Sequence, residues 1–186
     1  MTSHPARAAR RPGQEPPLEG AAAQDAEPDP ESVARSIALR LLTAAPRSRA
    51  QLEDALARRG VPPEVAERVL DRFTEVQLID DAAYAEMLVR TRHSERGLAR
   101  RALAQELRTR GIAADVAAEA LAGVGPEDEE AAARDLVRRR AAGTVGLDPL
   151  RRRRRLAGML ARKGYGPGLA LRVVDEVLGN EDDAVR

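Results

Sequence analysis

The chain has 186 residues, 31 Lys and Arg against 30 Asp and Glu, 43% apolar residues, 2% aromatics and no cysteine. Without cysteine there are no disulfides, thiolate metal sites or cysteine nucleophiles, and no apolar run approaches the roughly 20 residues needed to cross a bilayer. The aromatics Phe73, Tyr84 and Tyr165 are too few for a base-stacking platform, which leaves a cytoplasmic, mostly helical protein.

Residues 1–30 hold six of the twelve prolines and, apart from Leu18, almost no large apolar side chain. Such a segment buries too little surface to offset its ordering entropy, so disorder is expected. Arg7, Arg10 and Arg11 are followed by no apolar stretch, so this is not a secretory signal. Asp29-Pro30-Glu31 then reads as a helix start: a capping carboxylate, a proline suited to the first turn, and an acid at the positive end of the dipole.

Three segments then superimpose without gaps: LEDALARRGVPPEV (52–65), LAQELRTRGIAADV (103–116) and LAGMLARKGYGPGL (156–169). Leu52, Leu103 and Leu156 correspond, as do Leu56, Leu107 and Leu160 four residues on, which lie on the same helix face. Gly60, Gly111 and Gly164 follow basic stretches, as a left-handed helix stop would. The spacing predicts three helices per unit. In the first unit they fall near 31–45, 48–59 and 63–76, with a Ser48–Gln51 capping box. In the second they fall near 81–94, 97–110 and 113–122, with Asp80 or Asp81 as the first cap. In the third they fall near 127–142, 149–163 and 167–178, starting at Gly125-Pro126 and Asp148-Pro149.

The predicted fold is all-α: three tandem three-helix repeats in an elongated or curved array. The predicted segments are a Pro-rich tail (1–30), repeat 1 (31–79), repeat 2 (80–124), repeat 3 (125–178) and an acidic tail that frays (179–186). Each unit has a thin core and is marginal alone, so neighbours support one another.

The repeats, with LIDDAAYAEMLVR (78–90) and ERGLARRALAQELRTRGI (95–112), resemble the RecX family of recombinase regulators. The resemblance spans about residues 32–178 and is most specific in the middle repeat; the third departs by its run Arg151 to Arg155 and its Gly-Pro-Gly around Pro167. It implies a small cytoplasmic protein that enters the groove of the RecA–single-stranded DNA filament and suppresses its activities, modulating recombination, DNA repair and the SOS response.

The charge pattern points to a polyanion partner. Residues 134–163 hold eleven bases and two acids. With Leu156 at zero and about 100° per residue, Arg151, Arg154, Arg155 and Arg162 fall near 220°, 160°, 260° and 240°, away from the leucines. Arg101 and Arg108 fall near 160° and 140° from Leu103. Arg152 and Arg153 belong to the edge of the core, where long stems pack. The candidate filament or nucleic-acid contacts are therefore Arg101, Arg108, Arg151, Arg154, Arg155 and Arg162. An arginine fork suits phosphate and positions a protein on a backbone without reading bases.

A free-standing helical DNA-binding module is the competing reading, but base readout favours Asn and Gln, and here Asn180 is the single asparagine. No metal, cofactor or catalytic site is expected. His4 and His93 lack ligand partners at suitable spacing, and no phosphate loop, nucleophile elbow or zinc-protease motif occurs. A monomer is expected.

Overall fold

The computed structural model describes residues 29–184. Those residues form nine α-helices and one 3-10 turn, with no strand among them. Repeat 1 comprises α1 (Pro30–Ala44), α2 (Arg49–Ala57) and α3 (Pro63–Glu75). Repeat 2 comprises α4 (Asp81–Arg96), α5 (Arg100–Thr109) and α6 (Ala114–Ala120). Repeat 3 comprises α7 (Pro126–Ala141), the 3-10 turn Ala142–Thr144, α8 (Pro149–Arg162) and α9 (Pro167–Ala184). Apart from Asp29 and Pro30, the segment expected to be disordered lies outside the described residues.

The helix starts follow their caps. Asp29 accepts from the Ser32 N–H at 3.1 Å, Asp148 from the Leu150 N–H at 3.0 Å, and Ser48 and Gln51 form the expected capping box. Of the two candidate caps for α4, Asp80 takes the role, accepting from the Ala83 N–H at 2.8 Å.

Two boundaries differ from expectation. Helix α4 runs to Arg96 and α5 begins only at Arg100, because Gly97 adopts φ +57° and ends α4 in the left-handed region. The Leu98 N–H then returns to the Arg92 carbonyl at 3.2 Å. At the other end, α9 does not stop at Leu178 but continues to Ala184, into the segment assigned to an acidic tail. Extending an anchored helix adds one hydrogen bond per residue fixed, with no new nucleus to form.

Each repeat has its own core. Leu52, Leu56, Val69, Leu70 and Phe73 centre the first, Leu103, Leu107, Tyr84 and Leu88 the second, and Leu156, Leu160, Val173 and Val174 the third. The aligned leucines of the three middle helices are fully buried.

The middle helices meet head to tail. The Ser48 hydroxyl, at the start of α2, donates to the Arg110 carbonyl at the end of α5 at 2.6 Å. The Ala99 N–H, at the start of α5, donates to the Lys163 carbonyl at the end of α8 at 3.0 Å. A donor at the start of one helix, a hydroxyl at the first junction and an N–H at the second, thus meets a free carbonyl at the end of the next. The aligned glycines allow this approach: a Cβ on Gly111 would lie 2.3 Å from the Ala50 Cβ, and one on Gly164 would lie 2.7 Å from the Ala102 Cβ. Gly60 has nothing within 4 Å among the described residues.

A carboxylate from the following repeat completes each junction. Asp81 accepts from the Arg49 N–H, and Glu129 from the Arg100 N–H, both at 2.8 Å. Helix α8 breaks the pattern: it carries seven residues before its core leucine, where α2 and α5 carry three. Its start thus carries an extra turn, and Arg155 stands at the position of Ala102.

Candidate functional site: outward arginines and the groove between repeats 2 and 3

Arginine is so abundant here that its structural uses must be separated from its free surface. Arg49, Arg100 and Arg153 occupy equivalent positions one per repeat. Arg49 pairs with Asp71 at 2.6 Å, and Arg153 pairs through both nitrogens of its fork with Asp175 at 2.6 Å. Repeat 2 has Ala122 where the others have aspartate, and Arg100 instead donates to the carbonyls of Leu121 and Val124. This arginine ties the middle helix to the third helix in repeats 1 and 3, and to the segment just after it in repeat 2. Arg152 donates to the Thr144 hydroxyl at 2.9 Å, fastening the start of α8 to the turn after α7. Arg134 bridges Glu130 and Glu176, both at 2.8 Å.

The second structural group lies beside the first junction. Arg92 and Arg110 hold Glu106 at 3.1 and 2.7 Å, and Arg110 also donates to the Tyr84 hydroxyl at 2.6 Å. Burial works against the charged form of Glu106, but hydrogen bonds from Arg110 and Arg92 outweigh it and hold the carboxyl below its ordinary value of 4.5. A depressed carboxylate pKa contributes stability above the ordinary value, lost as pH falls through the folded one. Glu106→Gln is expected to cost about 1–2 kcal/mol at neutral pH, with a deficit that shrinks in acid. Urea denaturation at pH 7 and pH 3 checks this, and a deficit independent of pH would contradict it.

What remains outward is the candidate surface. Arg101, Arg108, Arg151, Arg154, Arg155 and Arg162 are all exposed. Arg108 donates to the Gln105 side chain, and the other five pair with no side chain among the described residues. The six do not converge on one point. Arg154 lines a groove between α8 and α9, whereas Arg162 lines another toward α4 and α7.

That second groove has a volume of about 740 Å³ and spans the junction of repeats 2 and 3. Leu98, Leu136 and Met159 supply apolar walls, Arg96, Arg139, Arg162 and Lys163 the positive charge, and Glu95 the one carboxylate among the lining residues. The Lys163 ammonium donates to the Arg96 carbonyl, which leaves the Arg96, Arg139 and Arg162 side chains for an anion. Gly97 seats the groove wall, since a Cβ there would lie 2.7 Å from Leu136 Cδ1. Beneath it the Tyr165 hydroxyl donates to the Gly97 carbonyl at 3.1 Å, and burial pushes this phenol up to about 12, so it stays protonated as a donor.

Sequence reasoning missed Arg96 and Arg139. Arg139 on α7 meets Arg162 of α8 within repeat 3, and Arg96 on α4 joins them because the Ala99–Lys163 junction brings two repeats together. Arg139 did fall within the basic block, which was the available signal.

Among the described residues no group of three or more His, Asp or Glu could hold a metal ion, and no helix is long and apolar enough to cross a membrane. The arrangement can bind anions; it presents no constellation for covalent or acid–base chemistry.

Three family models match in chain order: RecX, first three-helix domain, at residues 34–73; second at 80–121; third at 127–174. The chain is 55% identical over 163 residues to a regulatory protein RecX of Streptomyces lividans, covering 87% of each chain. It is 56% identical over 169 residues to that of Thermobifida fusca (91% of this chain, 90% of the other). Against the protein of Mycolicibacterium smegmatis it is 44% identical over 191 residues, covering both chains completely. A crystal structure of RecX from Lactobacillus salivarius superimposes with a TM-score of 0.69 at 21% identity, over 80% of this chain and 96% of that one. A second crystal structure, of a regulatory protein RecX, gives 0.69 at 26% identity over 79% and 72%.

Proposed function

The chain belongs to the RecX family of regulatory proteins, and from that membership we propose that it binds the RecA–single-stranded DNA filament in the cytoplasm and inhibits recombinase and ATPase activity, thereby restraining recombination, DNA repair and the SOS response. It acts without catalysis, by occupancy. The ordered match of all three domain models to the three observed repeats carries this reading.

The surface chemistry agrees with it. A filament groove offers phosphates along an extended strand and protein on either side. Unpaired guanidinium groups on α5 and α8, and the groove at the junction of repeats 2 and 3, offer forked donors to the phosphates. The scarcity of Asn and Gln and the burial of Phe73, Tyr84 and Tyr165 favour backbone contact over reading or stacking bases.

Salt dependence tests the phosphate contacts. If about five phosphates of single-stranded DNA are neutralised, log affinity falls with log salt at a slope of roughly −3.5. A slope near zero for binding to the filament would remove DNA from the interface. Equal affinity for DNA with and without recombinase would favour a free-standing DNA-binding module.

A further inference from the structure

The groove between α8 and α9 differs from the basic surface in kind. Its volume is about 420 Å³, and Ala157, Gly158, Ala161, Pro167 and Ala170 line it. Leu150 and Leu171 stand at its edges, 63% and 41% exposed. Large apolar side chains held this far into water are not needed for the core of repeat 3, which Leu156, Leu160, Val173 and Val174 fill.

Repeat 1 supplies a contrast. The positions of Ala157, Gly158 and Leu171 correspond to Glu53, Asp54 and Glu67 of repeat 1, by the same alignment that pairs the core leucines, while repeat 2 carries the uncharged Ala104, Gln105 and Ala118 there. Repeat 1 therefore offers a charged, solvated face where repeat 3 offers an apolar one. Neither of the other repeats exposes a large apolar side chain at the position of Leu171, which is what sets the repeat 3 face apart.

The rim is charged and selective. Arg153 is held by Asp175, but Arg154 and the neighbouring Arg151 are exposed and pair with no described side chain. An apolar floor of small residues offers a nucleic acid neither aromatic faces nor hydrogen-bond donors. Large apolar side chains fit it, and carboxylates beside them would meet Arg151 and Arg154.

We propose that the α8–α9 groove docks a segment of the recombinase in which an apolar side chain is flanked by carboxylates, while the outward arginines of α5, Arg155 and the junction groove take the DNA. This rests on the reading of the chain as a filament regulator. It divides the interface between a protein-binding groove and a phosphate-binding surface.

The test uses the full chain, RecA of the same organism, and a labelled single strand with and without recombinase. Leu150→Glu with Leu171→Glu puts charge at both edges, at Leu171 the charge that Glu67 carries in repeat 1. Ala161→Glu, a single exposed change to a good helix former, serves if the double variant loses helicity. Filament affinity is expected to fall at least about tenfold. Affinity for the strand alone should stay within about twofold. Unchanged filament binding overturns the proposal, and so does a parallel loss on both probes, which would make the groove a DNA site. Self-association of the wild type that vanishes in the variant would reassign the groove to a second copy. A wild type that binds the strand but never prefers the filament defeats the functional reading itself, and the groove's partner with it.

Discussion

Alanine at Gly111 or Gly164 is expected to destabilise the protein by about 3 kcal/mol or more, and alanine at Gly60 by only about 1–2 kcal/mol. The three glycines have the same role in sequence and the same left-handed backbone, with φ of +74°, +73° and +92° in chain order. All three variants therefore share the conformational penalty. They differ in what the new methyl meets. At Gly60 it meets nothing within 4 Å; at Gly111 it lies 2.3 Å from the Ala50 Cβ; at Gly164 it lies 2.7 Å from the Ala102 Cβ and 2.9 Å from the Ala102 backbone nitrogen.

The junctions cannot yield without losing the Ser48–Arg110 and Ala99–Lys163 bonds. Repeats of this size are marginal when separated. A second-site change sharpens the prediction. Ala50→Gly removes the single close atom facing Gly111, since the next lies at 3.8 Å. Beyond its own helix cost of about 1 kcal/mol, it therefore relieves the steric part of the loss in Gly111→Ala and leaves the backbone penalty. Ala102→Gly does not rescue Gly164→Ala, because the backbone nitrogen stays in place. Denaturant melts of the single and double variants check this. Equal losses at all three glycines would show that the repeats are not stacked through them.

The second large effect is functional. Reversing Arg101, Arg155 and Arg162 to Glu is expected to raise the concentration needed for inhibition by on the order of 100-fold or more. Each lost charge-assisted hydrogen bond to phosphate is worth roughly 1.5 kcal/mol, about tenfold, and the new carboxylates add repulsion. None of the three pairs with a described side chain, so the fold should be unchanged. The comparison that excludes a general charge effect is Arg40, Arg58 and Arg68 to Glu. These exposed arginines of repeat 1 also lack a described partner but lie outside the basic block. If both triples lose inhibition equally, net charge and not the α5–α8 surface controls binding. Inhibition by the first triple at wild-type strength would remove those residues from the interface.

The repeats, their glycine stops and most caps were legible in the sequence, because each is a local rule. Leucines four apart share a helix face, and a glycine after a basic turn ends a helix. Gly97 followed the same rule, but it lies between two helices of one repeat, where no aligned partner marks it. The limit of α9 was misjudged because acidic residues at a helix end suggest fraying, whereas Val177 and Leu178 upstream are anchored in the core.

Tertiary information was legible only where the repeat exposed it. Arg49, Arg100 and Arg153 recur at the repeat spacing, yet their task depends on Asp71 and Asp175, which stand one helix away and have no counterpart in repeat 2. The outward arginines follow from helical geometry alone. That Arg162 shares a groove with Arg139 and Arg96 does not, because it depends on how α7 packs beside α8 and on how repeat 2 seats on repeat 3.

ATP hydrolysis by RecA of the same organism on single-stranded DNA, with the full chain titrated in, decides whether the protein restrains the filament. Hydrolysis should fall progressively with added wild type and stay near its starting rate with the Arg101, Arg155, Arg162 triple. If hydrolysis is unchanged by wild-type protein that circular dichroism shows to be helical, the three-repeat fold stands and the assignment to filament inhibition is wrong.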